Sequence, residues 1–250
     1  MIDRRASPGL AAELVRLQVD VIVAGGPTLP ALKQATSTIP IVMVGSDDPV
    51  GRGLVRSLGH PGGNFTGMSR QGVEITGKRL ELLKEMVPDT APVGVLWDRT
   101  GLLSWQAAEA AARVRGWKLL SLEIRDAGEI EGAFKAATGA RAGALLVIGG
   151  IALSQARRVA ELAARSRLPA MYELRPYVEA GGLISYDADL IESWRHAAVF
   201  VDKILKGAKP GDLPVEQPTK FELVVNRRAA KALGLTIPPA ILQRADQVIE

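Results

Sequence analysis

Small, polar and aromatic residues stand directly after short apolar runs in this sequence, and these junctions carry its candidate chemistry. Gly25-Gly26-Pro27-Thr28 follows Val21-Ile22-Val23, and Gly45-Ser46-Asp47-Asp48 follows Ile41-Val42-Met43-Val44. Trp97-Asp98, Gly149-Gly150, Tyr172-Glu173 and Tyr186-Asp187 end later runs in the same way. A Gly-Gly-Pro-Thr turn opening a helix presents backbone N–H groups and a hydroxyl to a carboxylate. Ser46 is a donor, and Asp47 an acceptor for an amine. Trp97 and Tyr172 offer rings for stacking, while Glu173 and Asp187 suit an ammonium. The expected ligand-binding set is therefore Gly25, Gly26, Thr28, Ser46, Asp47, Trp97, Gly149, Tyr172, Glu173 and Asp187. Each has a plainer reading beside it: turn or cap for Thr28, Ser46 and Asp47, and core packing for Trp97 and Tyr172.

Other chemistries lack their residues. Asp47 and Asp48 are adjacent and point apart, so they make no acid–base pair, and no catalytic set completes them. No G-x-G-x-x-G follows a strand, and His60-Pro61-Gly62-Gly63 lacks the Lys-Ser/Thr of a phosphate cradle. The chain has no cysteine and two histidines, His60 and His196, far apart in sequence. Disulfides and thiolate metal sites are excluded, and neither a metal nor any other cofactor is expected. Lys and Arg number 31 against 27 Asp and Glu, a net charge of +4. The basic residues are scattered among acids on helices, as on a solvated face and unlike a nucleic-acid patch. No stretch is long and apolar enough to span a bilayer. Met1-Ile2-Asp3-Arg4-Arg5 is not followed by an apolar run, so no signal peptide is expected.

The elements that must position these junctions alternate. Unbroken apolar runs near 21–23, 41–44, 93–97, 144–148 and 170–172 suit strands buried on both faces, as in a parallel sheet. Ligands of such sheets bind just past the strands' carboxyl ends. Helices are expected over 10–17, 28–35, 53–58, 74–86, 104–115 with Ser104 as cap, 153–166, and from Asp189 through Leu205. Further strands are expected at 65–69, 118–124, 182–186 and 221–225, and two short helical pieces near Pro238. Asp126 and Glu129 have the spacing of a capping box. The fold class is α/β with mostly parallel sheets. Two such units are joined by short segments, and the chain passes between them more than once.

Several segments together resemble one family. They include Val19-Asp20-Val21-Ile22-Val23-Ala24-Gly25-Gly26, Asp48-Pro49-Val50-Gly51, Pro61-Gly62-Gly63-Asn64-Phe65-Thr66-Gly67 and Gly77-Lys78-Arg79-Leu80-Glu81-Leu82-Leu83-Lys84-Glu85. Glu179-Ala180-Gly181-Gly182-Leu183-Ile184-Ser185-Tyr186 and Leu213–Asn226 extend the match over nearly the whole chain. The sequence resembles the ABC-transporter substrate-binding proteins of the tryptophan-binding-protein-like group. The resemblance implies a type I periplasmic binding fold with two Rossmann-like lobes, residues 1–88 plus about 189–218 and about 89–188 plus 219–250. It implies a receptor, not an enzyme, that holds a small molecule between the lobes, with an amino acid of aromatic type favoured. The implied partners are the ligand and the ABC permease subunits, and the implied location is periplasmic or lipid-anchored. Against the family, the chain begins late, without the signal peptide and the strand, helix and strand that precede the segment at Leu10. The implied consequence is an exposed edge on the first sheet and self-association through it. The rival readings are a Rossmann-type enzyme acting on a nucleotide or nucleotide-sugar, and the effector domain of a transcription regulator. The first lacks a nucleotide fingerprint, and the second lacks a helix-turn-helix before residue 10.

Overall fold

The computed structural model describes residues 7–88 and 90–250. In chain order the elements begin α1 (Ser7–Arg16), β1 (Ile22–Gly25), α2 (Leu29–Ala35), β2 (Ile41–Ser46), β3 (Phe65–Ser69), α3 (Thr76–Met86), β4 (Val93–Trp97), α4 (Leu102–Arg115) and β5 (Leu119–Glu123). Then come α5 (Ile130–Gly139), β6 (Ala144–Val147), α6 (Gly150–Ser154), α7 (Ala156–Arg165), β7 (Ala170–Tyr172), α8 (Arg175–Glu179) and β8 (Ile184–Ala188). The chain closes with α9 (Leu190–Leu205), β9 (Phe221–Asn226), α10 (Arg227–Ala232), α11 (Pro239–Arg244) and β10 (Gln247–Ile249).

Two compact units result. The first runs up to Gln71 and resumes over Ala188–Lys220; the second is Gly72–Asp187 with Phe221–Glu250. The first break thus falls after Gln71, not after residue 88. Helix α3, expected in the first lobe, packs instead on α4, β6 and β7 of the second. Its Leu80, Leu83 and Met86 enter the same core as Val95, Leu146 and Met171. Pro88 ends the helix but does not end a domain.

In the first unit β1, β2 and β3 form a parallel sheet in that order. β2 shows why an unbroken apolar run was required. Ile41 and Met43 pack with Leu29, Leu32 and Phe65 in one core cluster, while Val42 and Val44 pack with Ala197, Phe200 and Ile204 of α9 in another. Alternate side chains point to opposite faces, and a helix layer covers each face, so every position must be apolar. The short helix expected over 53–58 is absent. Arg52 N bonds Asp48 O and Gly53 N bonds Val50 O, but Gly53 (φ 64°) breaks the turn there.

The second unit has a seven-stranded sheet, ordered β10-β9-β8-β7-β6-β4-β5. Pairing from β5 through β8, and between β9 and β10, is parallel. β9 runs against β8, since Asn226 N donates to Leu183 O at one end and Asp189 N to Lys220 O at the other. The sheets are therefore mostly parallel with one reversed junction. α4 starts before Ser104, which lies buried in its interior; Asp98 caps the preceding turn instead. The expected helix 153–166 is broken at Gln155 into α6 and α7. β10 carries no long apolar run and was not expected.

Candidate functional site

The strand carboxyl ends of the first unit lie side by side, because Gly25 is in register with Val44 and Ser46 with Ser69. A Cβ on Gly25 would stand 2.8 Å from Val44 O, so the close approach of β1 to β2 admits only glycine. The chain then forms a 3-10 turn over Gly26–Thr28. The Thr28 hydroxyl donates to Gly25 O at 2.9 Å and does not cap α2. Ser46 is buried, and its carbonyl accepts from Arg70 N at 3.0 Å. Asp47 pairs with Arg70 at 3.4 Å, both side chains being largely enclosed. Arg70, one residue past β3, is absent from the sequence-derived set. It brings a cation to a strand end that sequence reading had filled with donors and an acid.

The second unit assembles a denser arrangement. Asp98, Glu173 and Asp187 follow or close β4, β7 and β8, and each is nearly fully buried. Asp98 accepts from Thr100 N through Oδ1 at 2.7 Å and from Ile151 N through Oδ2, joining the turn after β4 to the start of α6. Gly149 takes a left-handed φ of 97°, and a Cβ there would meet Asp98 Cγ at 2.9 Å. Its N–H faces Glu173 Oε2 at 3.4 Å. Beneath these groups lies Arg79, wholly buried on α3. Its guanidinium donates to Tyr186 O (2.8 Å), Gly72 O (2.7 Å) and Asp187 Oδ2 (2.8 Å), and stands 3.8 Å from Glu173 Oε1. Asp187 and Glu173 thus face one buried guanidinium between them. In so enclosed a setting carboxylates favour cationic partners.

The structure thus gathers Gly149, Glu173 and Asp187 in the second unit, and Gly25, Gly26, Thr28, Ser46 and Asp47 at the strand ends of the first. It places Trp97 and Tyr172 elsewhere. Trp97 is 6% exposed, stacks on Trp105 with centroids 5.6 Å apart, and donates from Nε1 to Ser121 Oγ at 2.9 Å. It is a core residue. Tyr172 is fully enclosed and stacks on Tyr177 at 4.7 Å. Burial pushes its phenol well above the usual range. Asp187, expected to stand as an open acidic pole, is tied to Arg79. Arg79 itself was missed, although a signal existed: Thr76, Arg79, Leu83 and Met86 share one stripe of α3, and a cation on a buried stripe needs a partner. At the same sheet end, Tyr186 stacks on Phe221 at 5.8 Å, both partly exposed. Among the described residues no group of three or more His, Cys, Asp or Glu side chains is arranged to hold a metal.

Mostly parallel sheets wound with helices, in two units, define a type I periplasmic-binding-protein fold. The family model of the ABC transporter substrate binding proteins matches residues 6–249, and the chain belongs to that family. It is 27% identical to the tyrosine-binding protein of Clostridioides difficile (strain R20291), over 93% of this chain and 68% of that protein. Two solved structures superpose at a TM-score of 0.90. One is a conserved domain protein from Vibrio cholerae, 30% identical over 98% of this chain and 84% of that one. The other is an ABC domain in complex with L-Trp from Streptococcus pneumonia, 28% identical over 99% and 84%. The chain is a solute-binding receptor of an ABC transporter. No helix among the described residues is long and apolar enough to cross a membrane.

Proposed function

We propose that this receptor captures an amino acid with an aromatic side chain, of the tryptophan or tyrosine class. It delivers the ligand unchanged to the permease subunits of an importer. The receptor works in the periplasm or held to the membrane by a lipid, and it is not an enzyme. The observation that carries the reading is the pair of carboxylates, Glu173 and Asp187, fixed by Arg79 at the strand ends beside Gly149, where a ligand ammonium finds acceptors. In the first unit Gly25, Gly26, Thr28, Ser46 and Asp47 are the proposed polar contacts, and Arg70 supplies the charge a ligand carboxylate needs. The Tyr186–Phe221 pair, one residue from Asp187, takes the aromatic contact assigned from sequence to Trp97 and Tyr172. The names of the tyrosine-binding relative and the L-Trp complex support the aromatic class.

The test is a thermal-shift screen of the amino acids, simple sugars and nucleosides, followed by calorimetry on each hit. A ligand present at about a thousandfold its Kd stabilises the folded state by about 4 kcal/mol. The reading expects tryptophan or tyrosine to raise the melting temperature and to be recovered chemically intact. If no amino acid shifts it while a sugar or nucleoside does, the reading fails.

A further inference from the structure

A cavity in the second unit has no place in this reading. It is an open-sided recess of about 490 Å³ against Ala170 of β7 and Leu183 just before β8, at the opposite end of those strands from Glu173 and Asp187. That size lies in the ordinary range for small-molecule sites. Its walls carry small side chains from two helices, including Ala160, Ala163 and Ala164 of α7 and Ala229 of α10. Tyr172 forms part of the wall. A Cβ on Gly182, another wall residue, would stand 2.5 Å from Tyr172 Cε2, so the ring edge fills the space that glycine leaves. The Tyr172 hydroxyl is buried and has no hydrogen-bond partner among the described residues.

The rim adds a charge. Glu179 is paired with Arg175 at 2.7 Å, an arginine that Glu222 shares at 3.1 Å, and Glu250 with Arg227 at 2.9 Å. Arg228 also lines the cavity, is exposed, and has no acidic partner among the described residues. A recess with alanine walls and one exposed guanidinium at its rim is complementary to an apolar body that ends in an anion.

We infer that this cavity is a second binding site, independent of the strand-end site, for a small apolar carboxylate. The carboxylate sits at Arg228, and the body lies on the alanine walls beside Tyr172.

The alanines supply the readout. Full-length protein labelled with ¹³C at alanine methyls is titrated with hexanoate, with benzoate, and with the neutral hexanol and benzyl alcohol, with and without saturating strand-end ligand. Saturable shifts at Ala160, Ala163, Ala164 and Ala229 are expected for both carboxylates, unchanged by the strand-end ligand. Arg228→Gln is expected to weaken the carboxylates about three- to tenfold and leave the alcohols unaffected. Ala163→Phe, which fills the chamber, should abolish all four responses; Ala229→Leu gives the same test from the other helix if that variant misfolds. No saturable shift at these methyls up to about 10 mM carboxylate, a concentration weaker than any specific site requires, overturns the inference. So do shifts that persist in the filled-cavity variants. Because a strand-end ligand appears in only one arm, failure of the proposed function leaves this result readable.

Discussion

Arg79→Met tests whether the buried guanidinium is what organises the strand ends of the second unit. The substitution keeps an unbranched side chain of similar reach, so it creates little cavity. It removes donors to Tyr186 O, Gly72 O and Asp187 Oδ2, and it takes from Asp187 and Glu173 the buried guanidinium that both face. Summing the separate bonds would overcount, since one guanidinium makes them all. Removing one partner of a buried ion pair costs about 3–5 kcal/mol, and that range applies here. For a domain of this size about 1 kcal/mol moves the melting point roughly 2–4 °C, so a drop of roughly 6–20 °C is expected. The assay can be confined to the second unit. Trp97, Trp105 and Trp117 lie in it, and Trp194, half exposed on α9, lies in the first. In a Trp194→Phe background, tryptophan fluorescence reports the second unit alone. Adding Asp187→Leu to Arg79→Met should recover part of the loss by removing a carboxylate that the guanidinium had faced. If Arg79→Met melts within about 2 °C of its parent, the guanidinium is not the organising group and the charge argument for this site collapses.

Three further outcomes follow from the same contacts. Gly25→Ala forces a Cβ to within 2.8 Å of Val44 O and should destabilise the first unit by about 1–3 kcal/mol, read from Trp194, whose ring edge is 3.5 Å from the same position. Asn226→Ala removes the side-chain acceptor for Ala229 N and the donor to Val178 O; a loss of about 1–2 kcal/mol in urea denaturation is expected, and a neutral result would dismiss the cap. The Lys78 hydrogen bond, aided by Arg115, holds the Glu81 carboxyl below its ordinary value. The stability from this depressed carboxylate is therefore present above the unfolded-state pKa and is lost as pH falls through the lower folded value. Glu81→Gln should differ from its parent near neutral pH and converge with it in acid, as pH-dependent melting would show.

The parts of the fold legible in sequence were those set by burial period. β2 and β4 were readable because both faces of each strand are covered, and Gly116 marked the end of α4 by its left-handed turn. What escaped were features set by contacts distant in sequence. β10 is three half-buried residues whose only definition is pairing with β9. α3 belongs to the second unit because of what Leu80 and Leu83 touch, which no local pattern around Pro88 reveals. Asp126 does cap its turn, yet Glu129 reaches back to Arg125 N instead, one residue off the expected box.

Trp97 and Tyr172 are enclosed for one shared reason, their place in the strand. Trp97 and Tyr172 are the last residues of their strands, and Asp98 and Glu173 are the next ones along. In a parallel sheet covered on both faces, a strand's final side chain still projects into a helix layer, so Trp97 and Tyr172 are carried into the packed interior. Only the following residue leaves the layer and meets the groups that cross the sheet's end. That is why Glu173 faces Arg79 and Gly149 N, why Asp98 bridges to Ile151 N, and why both remain polar although nearly enclosed. The same geometry makes Arg79 necessary. Carboxylates gathered from separate strands repel one another where water is excluded, and a cation held against both Asp187 and Glu173 offsets that repulsion. The guanidinium is itself fully buried and cannot serve as a ligand contact. It fixes the carboxylates in place, so the proposed ammonium contact falls on acceptors already held by the fold.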